Sequence, residues 1–378
     1  MRILVINHEY PPIGGGGGQS CQAIVNELAR RGHEITVLTA HLKGLPREEL
    51  INNVRLIRLP SFRKQPYKAG FLTMGLFVIS AINAGYKIVR DWRPDLIHVH
   101  FAVPGGAVAW VLHRMTGIPY VLTAHLGDVP GGVPEKTDRW FRWVYLLTAS
   151  IWKHAARSTA VSSFTASLTY KQYGITPQII PNGLDIKAIG TGQLSIHEPP
   201  AVIFVGRFVQ QKNLMELVEV LNLVRDVPWR CMLVGDGPLR REIQGRIDEL
   251  SLKDRFTLTG WATQDEAQHY LEQSDILFMP SLSEGLPMVG IQALACGLAI
   301  VANNVGGFSD LVEQNFNGYL AEPGDRNALS GALRRFLSDH QTLLKARKNS
   351  LEHASRFDIK AVVDSYEFVF REVIAGQD

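Results

Sequence analysis

Cysteine is scarce in this 378-residue chain: Cys21, Cys231 and Cys296 stand far apart and form no CxxC pair. Three cysteines cannot all pair, so neither a disulfide framework nor a cysteine zinc site is expected, and a reducing, cytoplasmic setting is favoured. The N-terminus runs straight into Arg2-Ile-Leu-Val-Ile-Asn7, without the layout of a signal peptide. No DxD-like acidic dyad stands at a suitable site, so no metal is expected. No basic groove motif interleaved with aromatics stands out, which argues against a nucleic-acid partner. What is present is ordinary for a soluble globular protein, with 46% hydrophobic and 20% charged residues. The length suits two domains.

The formal net charge of +3 hides an asymmetry. Residues 1–190 hold 21 Lys/Arg against 11 Asp/Glu, a net of +10, and the remainder holds 18 against 25, a net of −7. A basic first half implies that it meets something anionic: lipid headgroups, a phosphorylated lipid carrier or an acidic glycan.

Residues 2–7 read as a buried strand, His8 to Gly18 as a loop with five consecutive glycines, and Gln19 to Arg31 as a helix. With the strand Glu34 to Thr39 they make a β–loop–α–β unit, the start of a doubly wound sheet. Glycines there let backbone N–H groups approach a ligand. The run is no dinucleotide fingerprint: from Gly14 the third glycine would fall at Gln19, and the second strand ends at Thr39-Ala40-His41 without an acid. Residues 69–86 carry no charge and are about long enough to span a membrane. Gly70, Thr73, Gly75, Ser80, Asn83 and Gly85 dilute the stretch, so a helix buried against the sheet is expected. Arg63, Lys64 and Lys68 precede it; such a basic shoulder is either a solvated loop or a peripheral contact with an anionic membrane surface at its inner face.

Asp95 to His100 reads as a strand with His98 and His100 on one face. With His125 these histidines make either a metal triad or, with no acids or cysteines clustered near them, hydrogen-bonding groups at a ligand cleft. Tyr120 to Ala124 leads into His125-Leu-Gly-Asp128, where open α/β sheets bind ligands; Asp128 is otherwise a turn residue. Trp140, Phe141, Trp143 and Tyr145 fit a long helix. Residues 186–199 lack periodicity, which places one domain at 1–190 and a second at 200–357.

The second half restarts the pattern. Ala201 to Val205 is a strand, and Arg207 and Lys212 follow it with fixed positive charge suited to a pyrophosphate. The stretch from Asp275 to Gly297 reads as strand, loop and helix, with Glu284 just before the helix start. That carboxylate either caps the helix or, beside free N–H groups that favour an anion, serves a ligand bearing both phosphate and hydroxyls, such as a nucleotide sugar. Helices fill 325–338 and 341–354, and Ile359 to Ile374 is amphipathic.

The motifs together resemble the retaining glycosyltransferases of family GT4, with the GT-B fold: two facing Rossmann-like doubly wound domains with an interdomain cleft. The match rests on the glycines at 14–18, HLGD at 125–128, IPNGLD at 180–185, GRFVQQKN at 206–213, VGDGP at 234–238 and PSLSEGLP at 280–287, in the family's order. The resemblance implies an acceptor-binding first domain, a nucleotide-sugar-binding second domain, and a C-terminal helix, 359–374, that packs back on the first. It implies that Arg207 and Lys212 grip the diphosphate and Glu284 bonds sugar hydroxyls. Backbone around Gly285, Leu286, Pro287 and Met288 would help bind phosphate, Gly15 and Gly16 would approach the donor, and His125 would contact the transferred sugar. His100 and Asp128 are acceptor-side candidates, and loops near Gly260 and Trp261 would select the base. The donor would be a UDP- or GDP-sugar, bound as substrate without a cofactor, and the acceptor a lipid-linked, glycan or small molecule.

One position departs from the family. The second glutamate of its EX7E motif is Gln292 here. An uncharged amide oxygen accepts more weakly from ribose hydroxyls. Reduced nucleotide affinity is expected, and a catalytically weak nucleotide-sugar binder is one rival reading; a sugar-nucleotide epimerase of the same architecture is the other.

Overall fold

The computed structural model describes residues 1–65, 70–133, 147–189 and 194–376; Lys68 and the aromatic run Trp140 to Tyr145 lie outside them. Contacts divide the chain into unit 1, Met1–Asp185 with Phe357–Asp378, and unit 2, Ile186–Arg356.

Unit 1 follows the order β1 (Arg2–Ile6), α1 (Gly16–Arg30), β2 (Glu34–Leu42), β3 (Glu48–Ile51), β4 (Val54–Arg63), α2 (Phe71–Trp92), β5 (Leu96–His100), α3 (Ala107–Thr116) and β6 (Tyr120–Ala124). Then come α4, whose described part is 147–153, β7 (Arg157–Ala160), α5 (Ser163–Tyr173) and β8 (Gln178–Ile179). The eight strands lie in the order β3-β4-β2-β1-β5-β6-β7-β8. All neighbours are parallel except β3, which returns antiparallel along β4. Continuous apolar runs such as Ile3 to Ile6 suit a sheet buried on both faces. One face is covered by α1 and by the last helix of the chain, α13 (Ile359–Ala375). Ile359, Val363, Tyr366 and Phe370 fill the core beside Val25 and Leu28. Leu184 N donates to Phe357 O at 3.0 Å and Ile359 N to Leu184 O at 2.9 Å, tying the two parts of unit 1 together.

The uncharged stretch at 69–86 departs from expectation. Helix α2 runs on to Trp92, through Lys87, Arg90 and Asp91, and only Phe77, Ala81, Gly85 and Val89 are buried. These recur every fourth residue, so one stripe packs inward and the rest faces out.

Unit 2 holds β9 (Ala201–Val205), α6 (Leu214–Leu223), β10 (Arg230–Val234), α7 (Arg240–Glu249), β11 (Phe256–Gly260), α8 (Gln264–Glu272) and β12 (Ile276–Met279). It continues with α9 (Met288–Ala295), β13 (Ala299–Asn303), α10 (Phe308–Leu311), β14 (Gly318–Ala321), α11 (Arg326–Ser338) and α12 (His340–Ala354). Its six parallel strands are ordered β11-β10-β9-β12-β13-β14. Asp275 is fully buried at the head of β12. Its Oδ2 accepts from Ala201 N at 2.8 Å, and Oδ1 lies 3.1 Å from His197 Nδ1 and bonds the Arg347 guanidinium. Arg347 also donates to Gly297 O at 2.7 Å and Ser195 O at 2.6 Å. One carboxylate thus pins the entering strand to α12. Asp275→Ala, which strands a buried guanidinium, is expected to cost about 3–5 kcal/mol in urea unfolding; a loss below about 1 kcal/mol would show the clamp to be incidental.

Candidate functional site

In unit 2 the loops at the carboxyl ends of five adjacent strands form one row, where parallel sheets bind ligands. The loop after β9 is shaped by the loop after β10: Gly206 N donates to Val234 O and Phe208 N to Asp236 O, each at 2.9 Å. A tight turn, Gln210–Lys212, then ends at Asn213 in the left-handed region (φ 53°), where α6 begins. Two cross-loop bonds hold this turn against the loop after β12. Leu282 N donates to Gln211 O at 2.8 Å, and Gln211 Nε2 donates to Ser283 O at 2.9 Å.

That clamp brings Lys212 Nζ to 2.5 Å from Glu284 Oε1, with both side chains largely buried. Glu284 does not cap the following helix: Pro287 is the N-cap of α9, without a side-chain hydrogen bond. The capping reading of Glu284 therefore does not hold; its carboxylate pairs with Lys212 instead. The loop after β13 fixes its backbone. A Cβ on Gly306 (φ 57°) would sit 1.6 Å from Glu284 O, and one on Gly307 would sit 2.2 Å from Gly285 O. No residue but glycine fits under the carboxylate's main chain.

An ammonium has three donors, and Glu284 takes one. The others, with the exposed Arg207 on the same loop, suit diphosphate oxygens. Beside this loop Ser281 Oγ, Ser283 Oγ and Asn303 Oδ1 are buried polar atoms without a hydrogen-bond partner among the described residues, the kind of residual that a ligand site explains. Gln292 lies half-buried on the second turn of α9. Gly260 (φ 82°) accepts from Gly235 N at 2.9 Å, and Trp261 beyond it is half-exposed.

Unit 1 carries a second cluster, at the carboxyl ends of β1, β5 and β6. The glycine run starts α1 with Gly15 as N-cap and no acid in the first turn. Nothing lies within 4 Å of a Cβ built on Gly15, whereas one on Gly17 would meet Phe101 Cζ at 2.6 Å and His125 Nδ1 at 3.5 Å. His125 therefore lies under the glycine loop, stacked on Phe101 with centroids 4.4 Å apart. His125 Nε2 is 3.0 Å from His100 Nδ1, and His98 Nε2 is 2.9 Å from Thr123 Oγ1, which also meets Tyr366 of α13 at 3.3 Å. His100 Nε2 is buried without a partner among the described residues. A bare lone pair there costs less than an orphaned N–H, so we assign the shared proton to His100 Nδ1. His125 then carries its own proton on Nδ1, towards Gly17. Among the described residues no group of three acids, histidines or cysteines is placed to hold a metal; the histidines bond one another and Thr123 instead.

Asp128 is buried, with both oxygens on backbone amides: Ala102 N at 2.9 Å, His125 N at 3.0 Å and Leu126 N at 3.1 Å. His100, at the end of β5, and Asp128, the two acceptor-side candidates, are thus both buried and bonded to the ring and the backbone of His125 respectively. Burial lowers His8 and His125 to about 4 and His98 to about 3, and lowers His100 well below its ordinary value. Burial pushes the Asp128 carboxyl up to about 6, against the pull of its backbone amides.

One group, Glu9, was not among the residues expected at the site. Glu9 Oε1 lies 3.5 Å from Arg63 Nη2 and 3.8 Å from His8 Nε2. Gly14 (φ 94°) closes over it, since a Cβ there would fall 2.5 Å from Glu9 Cβ. The only hint in the sequence is that Glu9 shares its loop with the glycine run.

The family model for glycosyl transferases group 1 matches residues 189–353, and that for Glycosyltransferase Family 4 matches residues 14–188. TuaC of Bacillus subtilis, a glycosyltransferase named for teichuronic acid biosynthesis, is 29% identical over 372 residues, covering 91% of each chain. The UDP-Gal:alpha-D-GlcNAc-diphosphoundecaprenol alpha-1,3-galactosyltransferase of Escherichia coli is 25% identical, over 77% of this chain and 79% of its own. Among solved structures, sucrose-phosphate synthase of Thermosynechococcus elongatus superposes with a TM-score of 0.87 at 23% identity, covering all of both chains. That likeness shows the GT-B fold, two parallel-sheet α/β domains.

Proposed function

The chain belongs to the family 4 glycosyltransferases and is a hexosyltransferase-type enzyme, and from that premise we propose retaining, metal-independent transfer from a nucleoside-diphosphate sugar. The observation that carries the reading is the Lys212–Glu284 pair, seated in one row with Arg207. Lys212 and Arg207 neutralise the charge that grows on the departing diphosphate, the role a metal ion plays elsewhere. Glu284 accepts from sugar hydroxyls, and His125 offers Nδ1–H to the transferred sugar.

The bond from the anomeric carbon to the diphosphate oxygen breaks as the acceptor oxygen bonds the same carbon on the same face, and the acceptor's proton passes to the leaving diphosphate. Retention through a covalent intermediate would need a carboxylate nucleophile. Asp128 has both oxygens engaged by backbone amides, and Glu9, the other carboxylate near His125, is held towards Arg63 and His8, which favours the direct route. We take the donor to be a UDP- or GDP-sugar, a class supported by the UDP-Gal in the name of the E. coli relative. The acceptor is a lipid-linked, glycan or small molecule on the unit 1 side. Three buried, unpaired cysteines fit work in the cytoplasm.

Thermal shift with UDP, GDP, ADP and their sugar conjugates tests the reading, because a ligand of the folded state raises Tm with the logarithm of its concentration over Kd. One base is expected to stabilise the protein. Gln292→Glu is expected to tighten that nucleotide by about fivefold, the worth of a charge-assisted over a neutral hydrogen bond. No shift with any diphosphate at millimolar concentration sinks the donor site. Binding without turnover, with transfer restored by Gln292→Glu, identifies a nucleotide-sugar binder instead.

A further inference from the structure

We infer that the outward face of α2, together with Phe62 beside it, docks on an anionic membrane surface. Leu72 is 76% exposed, Ile79 60% and Tyr86 40%. Spaced seven residues apart, they fall on one face of the helix, a stripe about 21 Å long. Phe62, at the end of β4, is 77% exposed and holds φ at 51°. A bulky side chain in the left-handed region is strained, and here the strained turn presents a phenyl ring to solvent. The Ser80 hydroxyl donates to Pro60 O at 2.9 Å, which keeps that end of β4 against α2.

Cations flank this apolar strip. Lys64 follows Phe62, and Lys87 and Arg93 close the far end of α2; none of the three forms an ion pair among the described residues. Arg90 lies on the same face and pairs with Asp91 at 2.9 Å. The first 190 residues carry a net charge of +10. Apolar side chains bordered by lysine and arginine complement the acyl boundary and anionic headgroups of a bilayer, not a second basic surface of the same kind.

The helix is long and apolar enough to cross a membrane, but its opposite face is committed. Phe77, Ala81 and Gly85 pack inward, and a Cβ on Gly85 would meet Leu112 of α3 at 2.7 Å. Spanning would dismantle unit 1, so the helix lies flat. Phe77 also contacts the His8 ring at 6.3 Å, next to Glu9. Phe62 is joined directly to Arg63 in β4, so that end of the docked surface adjoins the His8–Glu9–Arg63 cluster. On the transferase reading proposed above, on which this last step rests, the acceptor is lipid-anchored and presented from the bilayer surface.

Co-sedimentation of the full chain with vesicles tests the docking. The protein is expected to pellet with phosphatidylcholine–phosphatidylglycerol vesicles at low salt, and far less with phosphatidylcholine alone. Leu72→Glu/Ile79→Glu should lose at least about tenfold in partitioning, and Lys64→Glu/Lys87→Glu should abolish the preference for the anionic lipid. The urea transition of unit 1, resolved by amide exchange, should match the wild type in both variants and so report intact folding. Failure of the wild type to bind either vesicle, or unchanged binding by Leu72→Glu/Ile79→Glu, overturns the proposal. So does a wild-type dimer in sedimentation velocity that this variant dissociates, since a second copy would then cover the stripe. Vesicle binding without any nucleotide stabilisation would keep the docking and remove only the acceptor assignment.

Discussion

Lys212→Ala is expected to lower turnover by about 100- to 1,000-fold at saturating donor, the usual cost of deleting one charge aimed at a developing oxyanion. Two effects act together. The leaving diphosphate loses a fixed cation, and Glu284, buried beside it, loses the partner that held its carboxylate. A buried charge left alone is costly, so Glu284 is expected to shift as well, and sugar hydroxyls then meet a displaced acceptor. Lys212→Ala/Glu284→Ala should be little worse than Lys212→Ala alone, because residues acting as a pair are not additive. Initial rates with the nucleotide sugar identified by thermal shift measure both variants. Near-normal transfer by Lys212→Ala would remove the pair from the mechanism.

Acid should unfold unit 1 before unit 2. His8 and His125 near 4, His98 near 3 and His100 well below its ordinary value all refuse protons that the unfolded chain accepts from about pH 6.5 downward. Their depressed folded values mean that the stability they confer is complete above about pH 6.5 and drains away as pH falls towards 4. Asp128 has the opposite sign. Raised to about 6, it binds a proton in the folded state first and returns part of the loss between about pH 6 and 3.8. Four histidines less one carboxyl leave about three protons, a slope of at most about 4 kcal/mol per pH unit. The groups facing this cluster include Glu9, which favours protonated His8 and His125, and Arg63, which disfavours protonated His8. Urea midpoints from pH 7 to 5, with amide exchange assigning the loss to each unit, would show it. A flat profile between pH 6.5 and 5 would contradict the sign.

Much of the fold was legible because its strands are buried on both faces. Ile3 to Ile6 and Ile276 to Met279 are unbroken apolar runs, and glycine and proline punctuate the loops after them. Strand β3 was not legible: Glu48-Glu49-Leu50-Ile51 has no covered face, and only its pairing with β4 makes it a strand. For α2 the sequence showed a charge-free run, but a run without charge does not say which side is covered. In the site, the residue types on single loops could be read, whereas the bonds between loops could not. Lys212 and Glu284 are 72 positions apart, and Glu9 meets Arg63 across 54. Periodicity reports local geometry and is silent about such pairs. Gly306 and Gly307 were visible as letters, but their purpose, a floor for residues 284 and 285, is tertiary.

The place of α13 has a consequence for biosynthesis. Tyr366 and Phe370 complete the core of unit 1, yet the 171 residues of unit 2, Ile186–Arg356, are made first. Domains are usually finished in the order in which they leave the ribosome. Here unit 2 can close as soon as it emerges, while α1 and β1 wait with an uncovered apolar face until residues 359–375 appear. The nascent first half is therefore the part that would recruit a chaperone, and a ribosome stalled after residue 356 would release a folded unit 2 attached to an unfinished unit 1.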